Sequence, residues 1–359
     1  MKNMLNFTIG PVMTWNDILN IGGEQVPYFR TMEFSSLMKD NEDMMLRYSV
    51  APNGSRCAFL TGSGTMGMEA AVINFLSKDD RALVVNGGSF GHRFVELCEL
   101  HGVTFDEIKL EMGCGIDREV LDCYEGKGYT SILINMHETS TGVLYDMDLV
   151  AEFSRRNNLL LIVDAISAFM ADPVNMEKWG VDVMITSSQK AFACAPGISM
   201  LTISPRAIAR MCNIDSGNLY MDVESALKNG DRGQTPFTPA VLTLLQINKR
   251  LHMVASRGGM SGECDKVAAI ARYFRESIKE LPIEYISCSL SNAVTALHPT
   301  NGMSAKTICD RMKDEFGIWI CPNGGDMTDY MFRVGHIGNI SMENINILVH
   351  GLKECLKGK

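Results

Sequence analysis

Residues 57–78 read CAFLTGSGTMGMEAAVINFLSK. A short apolar run meets a glycine-rich turn, and a run of good helix formers follows. Gly62, Gly64 and Gly67 match the spacing G-x-G-x-x-G. A strand, a tight turn and a helix N-terminus in that order make a cradle for phosphate, because unpaired N–H groups and the helix dipole favour an anion there. The same turn also serves for plain packing. The rest of the chain therefore decides both the fold and the ligand.

Working outward, apolar runs of strand length recur at residues 82–86 (ALVVN), 103–109 (VTFDEIK), 131–136 (SILINM), 159–163 (LLLIV), 182–186 (DVMIT) and 199–203 (SMLTI). Helical patterns fill the intervals, at 66–77, 91–101, 117–125 and 147–157. Apolar strands separated by helices predict an α/β fold with a mainly parallel sheet between helices. Ligands of such sheets sit beyond the C-terminal strand ends. After residue 205 the pattern changes. A Gly/Asn/Asp-rich stretch, 213–238, precedes two long helical patterns at 239–256 and 262–280, and the tail alternates short strands and helices. The division predicted is an N-terminal arm (1–14), a large domain (15–256) and a smaller α+β C-terminal domain (257–359).

The 359 residues are 46% hydrophobic, enough for a full core. A net charge of −9 argues against nucleic acid or an anionic membrane as partner. The 11 cysteines are scattered, without a C-x-x-C pair or zinc-ligand spacing, so no metal is expected. The N-terminal residues show no secretion signal, and no run approaches the ~18 apolar residues of a membrane span. These features predict a cytoplasmic chain with reduced thiols.

A dinucleotide fingerprint needs an acid at the end of the second strand, to hold a ribose hydroxyl. Here Asn86 ends that strand, and Asp79 and Asp80 precede it. A monophosphate reading survives, with Ser63, Gly64 and Thr65 as the cradle. Two further strand ends carry chemistry. In LLLIVDAISAF (159–169), Asp164 follows the most apolar strand. It either caps the next helix or pairs with a cationic ligand atom at the site. In DVMITSSQKAFACAPG (182–197), Lys190 has no charged neighbour between Met184 and Gly197. A desolvated lysine has a lowered pKa and can form a Schiff base. A phosphate cradle, a strand-end aspartate and a pocket lysine are the parts that pyridoxal 5′-phosphate requires. Phe90, in GGSFGHR, is the candidate ring to stack on the pyridine.

The ordered series TGSGT, NGGSFGHR, HETSTGV, IVDAISAF, SSQKAFACAPG and FRVGHIG resembles the class V aminotransferases of fold-type I pyridoxal-phosphate enzymes. The resemblance covers essentially the whole chain. It is closest to the alanine–glyoxylate, serine–pyruvate and 2-aminoethylphosphonate–pyruvate transaminase branch. It implies a transaminase that moves an amino group from a small donor to a small 2-oxo acid such as pyruvate or glyoxylate. It implies Lys190 as the Schiff-base lysine and Asp164 as the partner of the pyridine nitrogen. Ser63, Gly64, Thr65 and Gln189 match phosphate ligands, and Thr139 matches the hydroxyl near the cofactor's phenolic oxygen. Arg333 matches the arginine that holds the substrate's acid group, and Gly10 lies in the arm that lines the substrate pocket. The resemblance also implies a homodimer whose second subunit completes the phosphate site. Thr238 best matches that threonine, and Thr235 stands where some relatives carry a tyrosine.

Three rivals remain at this stage. A cysteine desulfurase-like lyase would use Cys321, although Gln189 and Phe90 stand where such enzymes carry histidines, and Cys321 after IWI also reads as a strand-end core residue. A dinucleotide-dependent oxidoreductase leaves Lys190 unexplained. A non-catalytic regulator does not need an intact lysine and aspartate.

Overall fold

The computed structural model describes residues 4–357. The first three residues of the expected arm and the last two of the expected small domain lie outside the described residues. A seven-stranded sheet forms the centre. Its spatial order is Arg56–Thr61, Ile198–Ile203, Val183–Ser187, Leu160–Asp164, Ser131–Asn135, Arg81–Asn86 and Thr104–Lys109. The last five strands run parallel to one another. Ile198–Ile203 runs antiparallel to both of its neighbours, so the sheet is mainly parallel, with one reversed strand.

The apolar runs form strands because both sheet faces are covered. Every residue of Leu160–Asp164 and Val183–Ser187 is buried. One apolar cluster fills each side of the sheet. The helix Gly64–Phe75 is apolar nearly all round because it is almost wholly buried. Gly67 permits its close approach to the sheet: a Cβ there would stand 2.0 Å from Ser199 Oγ. The third glycine of the apparent fingerprint is thus a packing residue.

A four-stranded antiparallel sheet follows in the C-terminal part. It pairs Ile283–Tyr285, Val294–Pro299, Phe332–Gly335 and Cys321–Pro322. A separate core that includes Phe274, Phe332 and Leu348 backs it. The N-terminal segment is stitched to this region. Leu5–Asn6 pairs in parallel with Ile318–Trp319, Gly335 N donates to Phe7 O at 2.7 Å, and Asn339 N donates to Met13 O at 2.9 Å. Thr14 Oγ1 then donates to Ala193 O at 2.6 Å, just past Lys190. The arm therefore ties the small sheet to the lysine loop.

Four described non-glycine residues, Val50, Asn158, Met170 and Ala193, adopt the left-handed conformation. Val50 follows the helix Met32–Tyr48 with φ +48°, a left-handed conformation that costs a side-chain-bearing residue about 1–2 kcal/mol. Glycine is the usual residue at this place after a helix. Its extra unfolded-state entropy offsets about 0.5–1 kcal/mol of the relief. Val50 is 41% exposed, so little burial is lost. Val50→Gly is expected to stabilise the fold by roughly 0.5–1 kcal/mol, read as a raised midpoint in urea unfolding. A lowered midpoint would contradict this account.

Candidate active site

Eight of the residues singled out in the sequence meet in one cavity. Ser63, Gly64, Thr65, Phe90, Thr139, Asp164, Gln189 and Lys190 line it, together with Met68, Arg93, Ile166 and Ser167. The cavity opens at the C-terminal ends of the parallel strands, as the doubly wound architecture requires.

The N-terminus of Gly64–Phe75 forms one wall. Its N-cap, Ser63, makes no side-chain cap bond, so the first-turn N–H groups keep their donor capacity for an anion. Gly64 leaves room for Ile166: a Cβ would lie 2.5 Å from its Cδ1 and push that side chain aside. Gln189 Oε1 accepts from Ser187 Oγ, which leaves its amide N–H groups available. Arg93 adds a cation. Its Nη1 donates to Thr65 Oγ1 at 3.1 Å, and its guanidinium lies 5.0 Å from the Phe90 ring centroid.

Asp164 ends its strand, buried, and accepts one hydrogen bond from Ile166 N at 2.8 Å. Burial pushes its carboxyl up to about 6, with Ile166 N–H acting against that rise. Lys190 lies in the turn after Val183–Ser187, with Nζ 5.9 Å from the Phe90 centroid. Burial, then the Arg333 charge, pulls its amine down to about 8, while Asp164 acts in the opposite direction. Gly10 presses on this lysine: a Cβ there would come within 2.9 Å of Lys190 Cδ, and its φ of +148° also favours glycine.

Phe90 is held by a buried carboxylate. Glu138 accepts from Gly91 N at 2.9 Å, from Phe90 N at 3.4 Å and from Asn135 Nδ2 at 2.9 Å. This fixes the first turn of the helix Ser89–His101 and the height of the ring.

Arg333 stands behind Thr139 rather than on the cavity wall. Its Nη1 donates to Thr139 O at 3.1 Å and its Nη2 to Pro322 O at 2.8 Å. Its buried Nε has no partner. Of its five N–H donors, Nε–H stays available for a carboxylate. Cys321 opens the strand Cys321–Pro322, half-buried and packed against the edge of the main core, with Sγ 3.3 Å from Arg333 Nη2. Thr235 and Thr238 are not brought to this cavity in the same chain. They line a separate hollow with Tyr220 and Phe237. Thr235 Oγ1 is occupied by Phe237 O at 2.7 Å, whereas Thr238 is exposed.

A family profile described as Aminotransferase class-V matches residues 29–324. The chain belongs to the class-V aminotransferase family. Such enzymes are pyridoxal-phosphate-dependent transferases. Among curated relatives, the chain is 30% identical to the protein named soluble hydrogenase, small subunit, of Synechococcus sp. (83% of this chain, 79% of that one). It is 27% identical to L-aspartate–glyoxylate aminotransferase of Paracoccus denitrificans (78% and 72%). It is 26% identical to 2-aminoethylphosphonate–pyruvate transaminase of Pseudomonas fluorescens (90% and 89%). In fold it resembles alanine–glyoxylate aminotransferase from Nostoc sp., with TM-score 0.93 and 22% identity over 99% of this chain and 96% of that one. A cysteine desulfurase from Escherichia coli is more distant, with TM-score 0.76 and 12% identity over 99% and 95%. This class-V aminotransferase therefore has the fold-type I architecture.

Among the described residues, no group of three or more His, Cys, Asp or Glu side chains is placed to hold a metal ion. No described helix is long and apolar enough to cross a membrane.

Proposed function

We propose that this chain binds pyridoxal 5′-phosphate and transfers an amino group from a small donor to a small 2-oxo acid. The donor belongs to the alanine, serine or 2-aminoethylphosphonate class, and the acceptor to the pyruvate or glyoxylate class. The observation that carries the reading is the half-buried Lys190 beside buried Asp164 and the Phe90 ring, in a cavity walled by an uncapped helix N-terminus.

The donor set fits the cofactor. Helix N–H groups, Thr65, Gln189 and Arg93 suit a phosphate. The Asp164 carboxylate suits a protonated pyridine nitrogen, and Phe90 suits the ring face. When bound, the cofactor serves as an electron sink at the substrate carbon. Lys190 holds the aldehyde at rest and, once freed, moves the proton at the substrate Cα as a positioned base with a lowered pKa. Arg333 orients the substrate acid group through its charge and its free Nε–H.

The support for a homodimer is the exposed pair Tyr220 and Phe237, stacked at 5.4 Å beside exposed Thr238. In this reading Thr238, not Thr235, reaches the second subunit's phosphate. The proposal keeps the division 1–14, 15–256 and 257–359, supported by the two sheets with separate cores. It also keeps a cytoplasmic location, supported by eleven free cysteines.

The first test is absorbance. Protein loaded with pyridoxal phosphate should be yellow, and the band should bleach with alanine or a related amine. A protein that stays colourless on loading would refute the reading. Arg333→Gln should lower kcat/KM about 100-fold, through loss of charged hydrogen bonds worth about 1.5–3 kcal/mol. The loss should be smaller for an amine without an acid group, and an equal loss on both would remove Arg333 from the acid site. Cys321 beside Arg333 supports one second reading, a desulfurase-like lyase. Sulfide release from cysteine that disappears in Cys321→Ala would favour it.

A further inference from the structure

The turn after Asp164 carries a serine that the proposed chemistry does not yet use. Ser167 is buried, and its Oγ accepts from Thr139 Oγ1 at 2.8 Å. On its other side, the same oxygen stands 2.9 Å from His137 Nδ1. It donates to the His137 carbonyl at a longer 3.3 Å. His137 is 1% exposed, and its Nε2 has no partner. Burial keeps this imidazole neutral, down to about 3, and the Lys190, Arg333 and Arg275 cations act in the same direction.

A neutral imidazole has a single N–H. A buried N–H is rarely left without an acceptor. The hydrogen therefore belongs on Nδ1, where Ser167 Oγ accepts it, and the bare lone pair lies on Nε2. Thr139 and Ser167 both line the cavity with Lys190. The Thr139 carbonyl is in turn held by Arg333.

We propose that His137 and Ser167 are positioning residues that aim the Thr139 hydroxyl at the phenolic oxygen of the bound cofactor. The inference rests on the pyridoxal-phosphate reading. With a negatively charged oxygen beside Thr139, Thr139 Oγ1 turns its hydrogen outward. Ser167 turns its own hydrogen from the His137 carbonyl onto Thr139 Oγ1, and His137 Nδ1–H keeps donating to Ser167. Three donors then point the same way, and each polarises the next. The bond given up is the 3.3 Å contact to the carbonyl. No proton leaves any group.

The readout is the pH at which the visible band of the loaded protein changes. Donation to the phenolic oxygen lowers the proton affinity of the adjacent Schiff-base nitrogen. Ser167→Ala should therefore raise the midpoint by roughly 0.5–1 pH unit, the worth of one hydrogen bond. Thr139→Val should raise it at least as much. In the Thr139→Val background, Ser167→Ala should add nothing, because Ser167 acts through Thr139. Shifts that add, or an unmoved midpoint in Ser167→Ala, overturn the proposal. His137→Asn, which keeps an N–H near the place of Nδ1, should stay near wild type, while His137→Leu should follow Ser167→Ala. Equal midpoints in these two also overturn it, and they decide the matter should Ser167→Ala not fold. A wild-type protein without a visible band overturns the cofactor reading itself. A normal band with an unmoved midpoint overturns only this inference.

Discussion

Lys190→Ala should lose the visible band and lower turnover by on the order of 10⁴-fold or more, because one group supplies both the covalent anchor and the positioned base. The fold should persist, since the loop around Lys190 has other anchors. Thr14 binds Ala193 O, Arg250 binds Ala191 O, and Cys194 N donates to Ser188 O. Free methylamine should restore part of the proton-transfer rate but not the anchored band. A pH signature accompanies the loss. In the wild-type chain without cofactor, burial first and then Arg333 pull the Lys190 amine down to about 8. Only the neutral amine adds to an aldehyde. The rate of cofactor capture should therefore rise about tenfold per pH unit up to about pH 8 and level off above it. A capture rate still climbing at pH 10 would mean that the amine is not desolvated.

Asp164→Asn should leave the visible band in place, because Lys190 is intact, but lower turnover roughly 10²–10³-fold. That is the usual cost of removing one preorganised electrostatic partner from a developing charge. The amide keeps the shape and the acceptor for Ile166 N, so packing changes little. What disappears is the negative charge. The wild-type carboxyl sits near 6, raised by burial, so its charge is lost as the pH falls through 6. Cofactor affinity should fall more steeply over that range in the wild type than in the variant, where only the phosphate titrates. A variant with wild-type turnover would remove Asp164 from the chemistry.

Much of the architecture is legible in the sequence, for a physical reason. Strands buried on both faces must be apolar throughout, so runs such as LLLIV and ALVVN announce themselves. Glycine turns and strand-end polar groups are equally visible, since backbone approach and burial restrict residue type. The reversed direction of Ile198–Ile203 is less so, because an antiparallel strand buried on both faces has the same composition as a parallel one. Arg93 could have been found: it lies three residues after Phe90 on one helix, so both share a face. Ser167 and His137 could not. Their meeting depends on how the short strand His137–Glu138 packs against the turn after Asp164, and no spacing in the chain encodes it. The hydroxyl of Thr235 likewise turns inward to Phe237 O, a local choice that the motif QTPFTPA leaves open.

The pairing of Leu5–Asn6 with Ile318–Trp319 has a consequence for the order of synthesis. The first strand leaves the ribosome long before the strand it pairs with. Contacts of such long sequence separation close late. The seven-stranded sheet draws only on residues up to Ile203, so it can assemble while the arm still hangs free. The pairing of Leu5–Asn6 closes only after Ile318–Trp319 has emerged. The Arg333 charge that helps lower the Lys190 amine also belongs to that late part, so the lysine reaches its full chemical character after the large sheet is complete.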